Sequence, residues 1–126
     1  MLAAALLSTA VLAAVETNQY IWKTTVSIGV DDYGVVTVAS GVTATDIYPD
    51  VGIERVEIYR VGKTSPEGTY SYTSRPSLMA HNTVSHTATV THNGSPGASY
   101  YAKVSFYAGQ MGVAGGSHTT NSAIVP

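Results

Sequence analysis

The feature that most limits what this chain can fold into is a strict period of two running from Ala98 to Ala108. Tyr100, Ala102, Val104, Phe106 and Ala108 fall on one side of that run, and Ser99, Tyr101, Lys103, Ser105 and Tyr107 on the other. Side chains alternate across a strand, so the run predicts a β-strand with one buried face; a helix would repeat its apolar residues every three or four positions. The Gly-rich stretch Gly109 to Gly116 and the β-prone run from Ser117 to Val125 then complete a predicted final hairpin.

The same signal recurs upstream. Tyr20, Trp22, Thr24, Val26, Ile28 and Val30 alternate with Ile21, Lys23, Thr25, Ser27 and Gly29, and Asp31-Asp32-Tyr33-Gly34 supplies a turn. Val35 to Thr45 follows, with Val36, Val38, Val42 and Ala44 on the expected inner face. Asp46 to Gly52, which contains Pro49, reads as a loop before a strand from Ile53 to Val61. In that strand Val56 and Ile58 are expected inward, with Arg55, Glu57 and Tyr59 outward; Ile53 is out of phase, which predicts a bulge. Thr69 to Ser74 is a short strand ended by Pro76. Ser77 to Asn82 reads as a crossing loop that brings Leu78 or Met79 over the core. Thr83 to His92 sets Val84, His86, Ala88 and Val90 against Ser85, Thr87, Thr89 and Thr91, before the turn Asn93 to Gly97. Strands spaced about 8–12 residues apart and separated by turn signals predict an all-β fold. The expectation is a single antiparallel β-sandwich of about seven strands over residues 20–126, with no long helix after residue 15.

A chain of 126 residues is one domain with enough length for a working core. Charged residues make up only 11%, and the six basic ones (Lys23, Arg55, Arg60, Lys63, Arg75, Lys103) are scattered, so no nucleic-acid partner is expected. The chain has no cysteine, which excludes a disulfide framework, a thiolate zinc site and a thiol nucleophile. Met1 to Val15 is apolar and uncharged, and too short for a stable membrane span, which takes about 20 residues. It reads either as the apolar core of a secretory signal, with a small-residue cleavage site near Val11-Leu12-Ala13, or as a strand donated to a neighbouring subunit.

Residue types that carry chemistry do not converge in sequence. His86 and His92 share a strand face but lie roughly 20 Å apart, too far for one metal, and the four histidines are expected at the rim. Asp31, Asp32, Asp46, Asp50 and Glu67 sit near turns without the spacing of a calcium loop. No Gly-x-Ser-x-Gly occurs, and Glu54, Glu57 and Glu67 carry no sign of a glycosidase cleft. Asn93-Gly94-Ser95 matches the glycosylation triplet, but a turn explains it equally. No catalytic residue, metal or cofactor is expected. The surplus is aromatic: Tyr59, Tyr70, Tyr72, Tyr101 and Tyr107 are expected to form an exposed face able to stack on a sugar or dock a protein. Tyr100, at the head of its strand, reads as a structural tyrosine-corner residue.

The pattern Gly97-x-x-Tyr100-Tyr101-Ala102-Lys103-Val104-x-x-x-Ala108, followed by a Gly-rich turn and the polar run Ser117 to Ser122, resembles small exported proteins of Gram-positive bacteria. Those carry a single fibronectin type III-like or immunoglobulin-like sandwich with no assigned activity. The resemblance implies a secreted or cell-surface protein that acts without catalysis. Its expected partners are a protein or glycan ligand, as in adhesion, or copies of itself in an extracellular filament built by donation of the N-terminal segment.

Overall fold

A computed structural model describes residues 8–12, 19–121 and 125 of the chain. Residues 1–7 and 13–15 of the apolar N-terminal stretch, including Ala13 of the cleavage motif, lie outside the described residues. So do residues 122–124 of the polar tail.

The chain is all-β. Its strands are β1 (Ser8–Leu12), β2 (Ile21–Val30), β3 (Val35–Arg60), β4 (Gly68–Ser71), β5 (Met79–Asn93), β6 (Tyr100–Gln110) and β7 (Ala114–Asn121), with one 3-10 turn at Pro76–Leu78. Every pairing is antiparallel, and the strands form one sheet that curls into a half-barrel. No helix among the described residues is long and apolar enough to cross a membrane.

β3 is the spine. Its first half lies between β2 and β5, with Val38 opposite Ile28 on one side and Val90 on the other. Its second half lies between β6 and β4, with Val56 opposite Val104 and Tyr70. The curl turns both halves toward one interior. That interior is filled by Val26, Ile28, Val36, Val38, Ile53, Ile58, Tyr100, Val104 and Phe106, all at 1% exposure or less. Truncating a side chain as buried as Phe106 to alanine costs about 3–5 kcal/mol. Leu78 joins the core cluster, as expected, and Met79 is buried outside that cluster.

The expected loop from Asp46 to Gly52 is instead part of β3, which runs unbroken for 26 residues. Pro49 is tolerated because it sits where β3 has no ladder partner on its β2/β6 side: the β2 ladder ends at Ala44 and the β6 ladder begins at Asp50. A proline cannot donate to a ladder, and here that side asks for no donor. The register against β5 also jumps between Thr43 and Tyr48, which is where the strand passes from one half of the sheet to the other.

The expected bulge near Ile53 is present between Ile53 and Arg55. A second bulge, between Ile21 and Lys23, was not legible in the alternation. It resets the phase of β2, so Ile21 is buried and Trp22 is 60% exposed, the reverse of the strict-alternation reading. β4 is shorter than expected, because Ser71 to Arg75 closes into a turn: the N–H groups of Ser74 and Arg75 donate to Ser71 O. β5 begins at Met79, inside the stretch expected to be a crossing loop. β7 ends at Asn121, and Val125 returns as a single bridge to Tyr100.

Candidate ligand-binding face

The five tyrosines expected on one exposed face divide between the two sides of the sheet. Tyr59 and Tyr101 are cross-strand partners on the outer side of β3 and β6. Their rings stack 4.9 Å apart with planes 4° from parallel, and Lys103 Nζ lies 5.1 Å from the Tyr59 ring centre. Tyr59 is thereby only 7% exposed, which corrects its placement as an exposed platform. Tyr107 is half-buried on the same outer side, and its phenol is raised above the usual range by burial first and then by the negative charge of Asp50 and Glu54. Tyr70 is on the other side, and both Tyr70 and Tyr72 pack against the core. Tyr70 turns inward because its β4 position is paired with the inward-facing Val56.

Tyr70 enters a polar cluster that sequence spacing did not reveal. His92 Nε2 lies 2.8 Å from Glu67 Oε2, and His92 Nδ1 lies 2.7 Å from the Tyr70 hydroxyl. A carboxylate only accepts, so Nε2 carries the proton, and in the neutral ring Nδ1 accepts from Tyr70. Gly68 permits the fit: a Cβ there would sit 2.7 Å from His92 Nδ1. Glu67 Oε1 also takes Arg60, whose Nη2 donates to Ser95 Oγ at 2.8 Å. The His92 hydrogen bond is the largest influence holding the Glu67 carboxyl below its ordinary value of 4.5. Burial opposes it, and the charge of Arg60 assists, as does that of His92 when its ring is protonated. With its side chain 11% exposed, His92 is packed rather than placed at the rim. Tyr100 is fully buried beside this cluster, and its hydroxyl accepts the Ser95 N–H at 2.7 Å, the bond expected of a tyrosine corner. Every donor and acceptor named here is directed at another protein group, so the cluster ties β3, β4 and β5 together.

Two further acids, Asp31 and Asp50, also have structural partners. Asp31 Oδ1 accepts the N–H groups of Tyr33 and Val35, which shapes the β2–β3 turn. Asp50 binds His81 Nδ1 at 2.8 Å and the Met111 N–H at 2.9 Å. Among the described residues, no group of three or more His, Asp or Glu converges as metal ligands would.

Concavity is found elsewhere, on the outer face of β2, β3 and β5. Two adjoining open hollows of about 310 and 230 Å³ share Thr25 and Thr87. The first is lined by residues including Ser27, Ala39 and Thr89, and the second by Lys23, Gly41, Thr43 and Ser85. Register explains them. Thr25, Gly41 and Thr87 stand in one row across the three strands, and Ser27, Ala39 and Thr89 in the next. The middle strand carries the smallest side chains, so the flanking hydroxyl residues become walls. A Cβ on Gly41 would lie 2.9 Å from Thr25 Oγ1 and 3.2 Å from Thr87 Cγ2. Lys23 contributes the one charged side chain of the lining. Trp22, 60% exposed through its bulge, directly precedes Lys23 in the chain and is not itself part of either lining.

Single residues did not announce this face, because it arises only when three strands are in register. The available signal was the pair Ala39 and Gly41 at alternate positions of a Val-rich strand. Comparison with protein-family models, curated proteins and solved structures gives no match for this chain.

Proposed function

We infer that this chain is an exported, non-catalytic binding protein whose β2–β3–β5 outer face takes a neutral glycan. The observation that carries the reading is the pair of joined hollows walled by Thr and Ser hydroxyls, with the exposed Trp22 next in the chain to Lys23 of the lining. Sugar rings offer apolar C–H faces and many hydroxyls. An aromatic plate beside a row of hydroxyl partners suits both, and a single lysine sets little charge preference. Low charge density and the apolar stretch Met1 to Val15 support export to a cell surface or the medium.

The proposed architecture is an immunoglobulin- or fibronectin III-like sandwich, with the two halves of the curled sheet as its layers. The Tyr100–Ser95 bond supports it, since a tyrosine at the start of the penultimate strand makes that bond in such folds. The order β2-β3-β5 in one half and β3-β6-β7 in the other also supports it, as it matches the A-B-E and C-F-G orders of such folds with β3 supplying both B and C.

Trp22 is the only tryptophan and adjoins Lys23 of the lining, so its emission reports the surroundings of that end of the face. Titration with neutral oligosaccharides is expected to give a saturable change in emission. Trp22→Ala should abolish binding measured by calorimetry, and Gly41→Val, which fills the trough, should weaken it on the order of ten-fold, about 1.4 kcal/mol. A neutral glycan panel that leaves both emission and heat unchanged would sink the reading.

A second reading, a filament subunit joined by strand donation, is favoured by β1. This five-residue strand comes from the apolar N-terminal stretch and completes the sheet along the free edge of β2, with Ser8 opposite Val30. The same ladder can be supplied by a neighbouring copy. Ordered fibres in negative stain would support this reading, and a monodisperse particle would oppose it.

A further inference from the structure

We propose that the chain forms a two-fold symmetric dimer in which the free edge of β5 pairs antiparallel with the β5 of a second copy, centred on Thr87. Among the described residues β5 has β3 as its only ladder partner, so its other edge is open to a further strand; of its backbone groups, the N–H and C=O of Ser85 are engaged by Thr83 Oγ1. Exposed edges are ordinarily protected by brevity, Pro, Lys or bulges. Here β5 is 15 residues long, and its stretch Thr83 to Thr91 contains no charged residue and no proline.

The occupant is indicated by the sequence of that stretch, which is nearly a palindrome: Thr83-Val-Ser-His-Thr87-Ala-Thr-Val-Thr91. Two copies run antiparallel about Thr87 place Thr83 against Thr91, Val84 against Val90, Ser85 against Thr89 and His86 against Ala88, with Thr87 against itself. An isologous interface demands this self-complementarity, in which residue i meets j and j meets i. Cross-strand pairs of β-branched and hydroxyl residues are favourable, and no like-charge pair arises. Faces also match: each pair joins two outward or two inward positions, so the curled sheet continues from one copy into the next. Val84 supplies an independent sign. It is 41% exposed although it shares a side with fully buried Val90, and pairing with the second copy's Val90 would cover it. The other single-partner strands differ: β1 and β4 are short, and β7 carries Gly115 and Gly116 near its start. The inference does not rest on the glycan reading.

An edge ladder alone lies at the small end of specific interfaces, so the dimer is expected to dissociate on dilution. Sedimentation of the wild-type protein across concentration should show a reversible monomer–dimer equilibrium. The absence of cysteine then permits a direct test of register. Directly opposed residues in an antiparallel pair have Cα atoms about 4.5 or 5.5 Å apart, within the range a disulfide spans. Mild oxidation of Thr87→Cys should therefore give a cross-linked dimer, on the order of ten-fold faster than Thr83→Cys, whose symmetry mate lies roughly 27 Å away. Thr87 is exposed, so its replacement leaves the core untouched. Equal cross-linking of the two variants, or cross-linking of neither, overturns the proposal. A wild type that stays monomeric at high concentration also overturns it, and leaves the β5 edge to a strand from a different partner.

Discussion

Tyr59 lies flat against Tyr101 on the outer side of the sheet, ring centres 4.9 Å apart and planes within 4°. The two are direct cross-strand partners, so the stack locks β3 to β6 from outside while Ile58 and Ala102 lock them from within. Tyr59→Ala should destabilise the fold by about 2–3 kcal/mol. A double-mutant cycle with Tyr101→Ala should return a coupling of about 0.5–1.5 kcal/mol. Strict additivity in urea melts would show that the stack contributes nothing beyond area.

Acid should weaken the β3–β4–β5 corner. The Glu67 carboxyl is held below its ordinary 4.5 in the folded state, chiefly by His92, so its contribution is fully present above that value. It is lost as pH falls through the lower folded value. Glu67→Gln should flatten the stability–pH profile below about pH 4.5 and lower stability at neutral pH. An unchanged acid limb in chemical denaturation at several pH values would contradict this.

Most of the strand plan was legible because apolar alternation is a local property. Val36, Val38 and Val42, or Val104 and Phe106, reveal a buried face to anyone counting by twos. The failures share a cause: they depend on what lies opposite. Pro49 reads as a break unless its position beyond the β2 ladder and before the β6 ladder is known. Trp22 reads as inward unless the bulge against Thr43 and Ala44 is seen. Tyr59 reads as outward and exposed unless its partner Tyr101, which covers it on that side, is known. The Glu67–His92–Tyr70 cluster joins a loop, β5 and β4, and only the register of β3 brings them together.

Ser40 is 6% exposed, and its hydroxyl has no hydrogen-bond partner among the described residues. Leaving such a group buried costs about 1–3 kcal/mol, so Ser40→Ala should be neutral or stabilising by about 1 kcal/mol. A destabilised Ser40→Ala in thermal and urea melts would mean that the hydroxyl is satisfied in solution.

The corner bond makes the opposite forecast. Tyr100→Phe keeps the ring in the core but leaves the Ser95 N–H without its acceptor, at a cost of about 1–2 kcal/mol. Hydrogen exchange at the Ser95 amide should accelerate accordingly, and an unaltered rate would show that the amide has another acceptor.

The central claim is that ligand meets the β2–β3–β5 face. The most direct measurement is amide and indole shift mapping by NMR during titration with a neutral oligosaccharide. The prediction is that shifts cluster at Trp22, Lys23, Thr25, Gly41 and Thr87. Shifts confined to Tyr101, Lys103 and Tyr107 on the outer face of β6, or no shifts at saturating sugar, would contradict it.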